Sequence, residues 1–108
     1  MIALVAQHRE AVAELCRRFG VRRLDLFGSA ATGAFQEATS DLDFVADFAD
    51  RSPGYADRYL DFAEALEALF GRPVDLLTER SIRNPYFRRA VEATRETVYD
   101  GRGQATAA

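Results

Sequence analysis

Residues 24–48 read LDLFGSAATGAFQEATSDLDFVADF, and they decide the fold. An apolar run, Leu24, Leu26 and Phe27, stops at Gly28-Ser29, which reads as a strand ending in a turn. Small residues follow, with a short helix starting at Ser29, and a second strand runs from about Asp41 to Phe48. Residues two apart on a strand share a face, so Asp41 and Asp43 project together and Leu42 points the other way.

Two ionised carboxylates held that close repel each other unless a cation sits between them. A hard divalent ion such as Mg²⁺ relieves the repulsion with few protein oxygens and completes its shell with water and phosphate. A third acid, Asp75, interrupts the apolar strand PVDLL, where a lone buried carboxylate is expensive. If that strand lies beside DLDF, three acids serve two metals: Asp41 and Asp43 hold both, while Asp75 binds the catalytic one and helps deprotonate the nucleophile. The Gly28-Ser29 turn supplies a phosphate cradle, because a glycine admits a close anion and amides at a helix start, with the Ser29 hydroxyl, bind its oxygens. Each element alone is common. Asp-x-Asp is frequent on exposed strands, Gly-Ser is usually a turn, and Asp75 alone reads equally as an edge-strand acid facing water; their order along one chain is the specific signal.

Outward from this stretch, Val5, Val12, Leu15, Cys16 and Phe19 recur at helical spacing, predicting one amphipathic helix from Ala3 to Phe19 closed by Gly20. His8 falls on its polar, solvent-facing side, and Cys16 is a buried structural thiol. The segment ADRSPGYADR reads as a loop. Tyr59, Phe62, Ala63, Leu66, Leu69 and Phe70 form a further helical stripe, in which Tyr59, like Tyr55 before it, is a packing residue. A strand centred on Val74 to Leu77 comes next, and then a helix with Pro85 in its first turn and Tyr86, Phe87, Ala90 and Val91 on its inward face. TVYD adds a final strand. Residues 1–100 thus form a single domain and 101–108 a frayed tail. The alternation of helices and strands gives an α/β (α+β) domain whose strand directions periodicity leaves open.

The chain has 108 residues, a formal charge of −3, and basic residues scattered among 17 acids, which argues against a nucleic-acid-coating protein. The Arg17-Arg18 and Arg22-Arg23 pairs read as solvated faces. One cysteine excludes an internal disulfide and a cysteine zinc site, and no run approaches the ~20 apolar residues of a membrane span. The expectation is a soluble, cytoplasmic protein without a membrane partner.

At GSAATG, SDLDF and GRPVDLL the sequence resembles the minimal nucleotidyltransferases of the DNA polymerase beta superfamily, and is especially similar to the small antitoxin-type members paired with a HEPN-domain toxin. The similarity runs from Leu24 to about Tyr99. It implies a nucleotidyltransferase fold, a small mixed sheet flanked by about four helices, with two Mg²⁺ ions and ATP as donor. Carried over residue by residue, it implies that Asp41, Asp43 and Asp75 are the catalytic and metal-binding acids and that Gly28, Ser29 and Ser40 bind nucleotide. It further implies transfer of AMP to a hydroxyl, a tyrosine of a cognate HEPN-type RNase toxin, within a hetero-oligomer. The alternatives are an antitoxin that neutralises by contact and a transferase acting on a small molecule. The sequence departs from the family where an arginine usually precedes the second glycine: Thr32 stands before Gly33. That removes a charge-assisted phosphate contact, with Arg80 or Arg83 as candidate replacements.

Overall fold

Alternate side chains of each strand go to opposite faces of one sheet, and that alternation places Asp43 and Asp75. The computed structural model describes residues 1–32, 41–49 and 53–102. In chain order its elements are α1 (Ala3–Gln7), α2 (Arg9–Phe19), β1 (Val21–Phe27), α3 (Ser29–Thr32), β2 (Leu42–Phe48), α4 (Tyr55–Phe70), β3 (Val74–Thr78), a 3-10 turn (Glu79–Ser81), α5 (Pro85–Thr94) and β4 (Glu96–Asp100). The four strands form one sheet in the order β3-β2-β1-β4. β1 is antiparallel to both β2 and β4, whereas β2 and β3 run parallel, as the α4 crossover between them permits. The mixed α/β fold expected from the sequence is therefore present.

Leu24 and Leu26 of β1, Leu42, Phe44 and Ala46 of β2, and Leu76 of β3 pack on one face against Val12 and Cys16 of α2 and Phe62 and Leu66 of α4. This is the main core. The opposite face carries a smaller cluster, Phe27, Val45, Ile82 and Val91, beneath α5. By the same period of two, Asp25, Asp43 and Asp75 belong to this second face. Burial pushes the Cys16 thiol up to about 12, in keeping with an inert core cysteine.

The outer edge of β3 is closed by side chains. Val74 N–H donates to Glu67 Oε2 at 3.1 Å, Thr78 N–H donates to Ser81 Oγ at 3.1 Å, and the Tyr59 hydroxyl donates to Leu76 O. With its edge groups taken, β3 is a poor template for pairing with another chain.

Several expectations need correction. The first helix is broken at His8 (φ −107°, ψ 15°), whose Nδ1 lies 2.7 Å from Leu4 O, an alternative to continuing the helical ladder. His8 is also partly buried, its ring edge-on to Phe70 at 5.5 Å, rather than solvent-facing. α4 starts at Tyr55, earlier than the loop reading allowed, with Tyr55 edge-on to Phe48 at 5.2 Å. On α5, Val91 is buried but Tyr86 is 76% and Phe87 43% exposed, and Ala90 is exposed too. Arg88, Val91 and Arg95, one helical row at i, i+3 and i+7, are turned toward the protein instead. Of the arginine pairs, Arg22 binds Asp47 with Nη2 at 3.0 Å and Arg23 binds Asp25 with Nε at 3.0 Å.

Candidate active site

The site forms where the C-terminal end of β1 meets the N-terminal ends of β2 and β3, on the face under α5. Phe27 is the register partner of Asp43, and Asp43 is the register partner of Asp75 on the parallel strand. The Gly28 turn and both acids therefore lie side by side. Asp41 directly precedes β2 and is exposed; Asp43 is partly buried and Asp75 exposed. The expected strand beginning at Asp41 starts one residue later, and Leu42 faces the main core as anticipated. Gly33 and Ser40 lie outside the described residues.

Gly28 adopts φ +73°, a left-handed conformation open to glycine, and a Cβ there would fall 2.7 Å from Asp43 Oδ2. The glycine is thus required twice over, by the turn and by the carboxylate resting on it. Ala31 and Thr32 donate their amides to Gly28 O, which closes α3, while the amides of Ser29 and Ala30 have no intrahelical acceptor. The Gly28 amide is committed elsewhere, donating to Thr94 Oγ1 at 2.9 Å. That bond ties the turn to the last residue of α5, and no pattern in the sequence pointed to Thr94. Thr32 is exposed, and its hydroxyl donates to Ser29 O at 3.4 Å. Arg80 and Arg83 are exposed and take part in no ion pair or hydrogen bond among the described residues.

Asp43 is pushed up to about 6, first by burial, then by the charge and hydrogen bond of Asp75, and then by the charge of Asp41. The Tyr59 hydroxyl is raised by burial, then by Tyr55 and by Asp75, which places it in the same field. Two further carboxylates thus act on Asp43. Among the described residues, no three His, Cys, Asp or Glu side chains converge as a ready-made metal cage. Asp43 and Asp75 instead offer carboxylate oxygens at an open place beside the turn. This donor set fits Mg²⁺, which binds through one or two carboxylates and takes its other oxygens from water and substrate phosphate.

Behind the site runs a network that the sequence did not reveal. Asp25, in the middle of β1, is 0% exposed. Its Oδ1 accepts from Arg23 Nε at 3.0 Å and its Oδ2 from Arg95 Nε at 2.5 Å. Arg95 also binds Glu79 and, at 2.5 Å, Glu92 Oε1; Arg88 Nη1 reaches Glu79 Oε2 at 3.1 Å. Burial alone would raise Glu79, but the bonds from Arg95 and Arg88 hold it below the ordinary carboxylate value. Burial likewise opposes the charge of Arg95, and Glu79 and Asp25 more than offset it, raising its pKa. The network fixes α5, and through Thr94 the Gly28 turn, on the sheet.

Comparison with known proteins agrees with this geometry. Residues 8–98 match the nucleotidyltransferase domain family. Protein adenylyltransferase MntA of Thermococcus cleftensis is 38% identical over 86 residues, 80% of this chain and 81% of that protein. Among solved structures, a toxin-antitoxin crystallised with AMP-PNP superposes with a TM-score of 0.66 at 21% identity, covering 85% of this chain and 73% of the other. A chain from the complex of a tri-AMPylated Shewanella oneidensis HEPN toxin with its MNT antitoxin gives 0.62 at 17% identity, covering 95% and 78%. At these identities the two structures speak for the fold.

Proposed function

Because the chain belongs to the nucleotidyltransferase domain family, and is a nucleotidyltransferase, we propose that it transfers AMP from ATP to a hydroxyl of a partner protein, a tyrosine of a HEPN-type toxin, and acts as its antitoxin. The observation that carries this reading is the register pairing of Asp43 with Asp75 directly beside the Gly28-Ser29 turn. Carboxylates and an anion-holding turn at one place suit a substrate whose reacting atom is a phosphorus. The similarity to a protein adenylyltransferase supports AMP as the transferred group, and the HEPN complex supports the acceptor class.

In the proposed reaction Ser29 and the amides that open α3 orient the triphosphate. Asp41, Asp43 and Asp75 would hold Mg²⁺, which would supply charge neutralisation of the phosphates and a lowered pKa for the attacking hydroxyl. Asp75, exposed at the edge of the site, takes the proton of the acceptor hydroxyl. The acceptor oxygen bonds to the α-phosphorus, the bond from that phosphorus to the β-phosphate bridging oxygen breaks, and pyrophosphate departs. In this reading a bound partner presents the acceptor hydroxyl beside the turn, within a hetero-oligomer. No helix of the described residues is long and apolar enough to cross a membrane.

The test is to incubate the protein with ATP labelled at the α-phosphate and a HEPN-domain toxin as acceptor, comparing wild type with Asp41→Asn/Asp43→Asn. Label should pass to the partner in the first case only. Equal labelling by both would contradict the assignment.

A further inference from the structure

The segment from Glu79 to Ala90, ERSIRNPYFRRA, differs in charge from the rest of the chain. The whole chain carries −3, yet here the only acid is Glu79, and its carboxylate is taken by Arg88 and Arg95. Arg80, Arg83 and Arg89 have no acidic partner among the described residues, and all are exposed. Arg89 lies over the Tyr86 ring, 5.9 Å from its centroid. Tyr86 and Phe87 are two of the three exposed large apolar side chains in the described structure, and they are neighbours. Exposed aromatics beside arginine have the composition of an interface hot spot, not of an ordinary solvated helix face.

The position of the patch ties it to the site. The Phe87 ring packs edge-on against Phe27, 6.2 Å between centroids, and Phe27 immediately precedes Gly28. Thr94 of the same helix accepts the Gly28 amide. Whatever docks at Phe87 therefore sits beside Phe27, the residue that leads into the phosphate turn.

Resting on the adenylyl-transfer reading above, we infer that Tyr86, Phe87 and Arg89, with Arg80 and Arg83 beside them, form the surface on which an acidic face of the acceptor protein docks. The charge is the right sign for such a partner. It is also local: a nucleic acid following its backbone beyond these arginines would run onto a surface that is acidic on balance. A protein face with an apolar recess for the two rings and carboxylates around it matches both features.

The experiment measures binding and labelling separately for wild type, Arg89→Glu and Tyr86→Ala/Arg89→Glu, using a HEPN-domain toxin, AMP-PNP and a single-stranded RNA oligonucleotide as probes. These side chains are exposed, so the variants should melt like wild type. The expected result is that partner affinity falls about tenfold or more, that wild-type affinity weakens with salt more steeply than that of Arg89→Glu, and that AMP-PNP binding is unchanged. If the partner binds through this patch but receives no label from wild-type protein, the docking surface stands and the transfer reading fails. Unchanged partner affinity in the variants, no binding of the partner to wild type, weakened AMP-PNP binding in their place, or RNA binding that depends on Arg89 would each overturn the docking surface.

Discussion

Substituting Gly28 by alanine separates the two demands made on that position. At φ +73° an alanine costs about 1–2 kcal/mol, because its Cβ crowds the following carbonyl. Gly20 has the same φ of +73°, but a Cβ there meets nothing within 4 Å. Gly20→Ala is therefore a control for backbone strain alone. At Gly28 the new methyl lies 2.7 Å from Asp43 Oδ2, and ordinary contact begins near 3.4 Å, so the carboxylate must swing aside by several tenths of an ångström. The end of a side chain moves cheaply, and the two variants should lose similar stability, roughly 4–8 °C in melting temperature for each kcal/mol. Their activities should part. Displacing a reacting group by about 1 Å costs up to about a hundredfold in rate, so AMP transfer by Gly28→Ala should fall about ten- to a hundredfold while Gly20→Ala stays near wild type. The assays are thermal melting and transfer of α-phosphate label under saturating ATP. Equal activity of the two variants would refute the view that Gly28 is there to seat the Asp43 carboxylate.

Further outcomes follow from the same contacts. Asp25→Asn removes the buried charge facing Arg23 and Arg95 and should cost about 3 kcal/mol, at the low end for a broken buried pair because Glu79 and Glu92 still hold Arg95; denaturant melts check this, and a loss under 1 kcal/mol contradicts it. Thr94→Val leaves the Gly28 amide without its acceptor and should raise the KM for ATP more than it lowers kcat, with Thr94→Ser restoring wild-type values; a defect that serine does not rescue points to packing instead. Asp43 has its folded pKa raised from 3.8 to about 6, so the stability tied to its neutral form is fully present below 3.8 and is lost as pH rises through about 6. Because the side chain is partly exposed, the raw shift is discounted for screening to about 1 kcal/mol. Added Mg²⁺ should therefore raise the melting temperature at pH 8 and not at pH 4, and Asp43→Asn should abolish the difference; stabilisation by Mg²⁺ independent of pH would contradict the assignment.

Most of the fold was legible because the main core obeys simple periods: Leu24, Leu26, Leu42, Phe44 and Leu76 alternate on strands, while Phe62, Leu66 and Phe70 repeat on α4. The expectation that Asp75 joins the acids if its strand lies beside DLDF is met in the structure, where β3 flanks β2 with Asp75 opposite Asp43. α5 was misread for a physical reason. Tyr86 and Phe87 have the hydrophobicity of core residues, but the helix rotates to give Arg95 to Asp25 and Arg88 to Glu79, and charge pairing of that kind leaves no periodic trace. Asp25 itself looks like a polar residue in an alternating strand; only its partners, 70 residues away at Arg95, show it to be buried. His8 breaks the first helix through a bond between its ring and Leu4 O, a local choice that the unbroken apolar stripe from Val5 to Phe19 conceals. The Gly28–Thr94 bond joins segments that no motif connects.

The most direct test of the account follows where each phosphorus of ATP goes. Wild-type protein is incubated with Mg²⁺ and a HEPN-domain toxin, once with ATP labelled at the α-phosphate and once with ATP labelled at the γ-phosphate. The expected result is that α-label becomes covalently attached to the partner while γ-label leaves with pyrophosphate, and that Asp43→Asn and Asp75→Asn each abolish attachment. Transfer of the γ-label to the partner, or α-labelling undiminished in those variants, would contradict it.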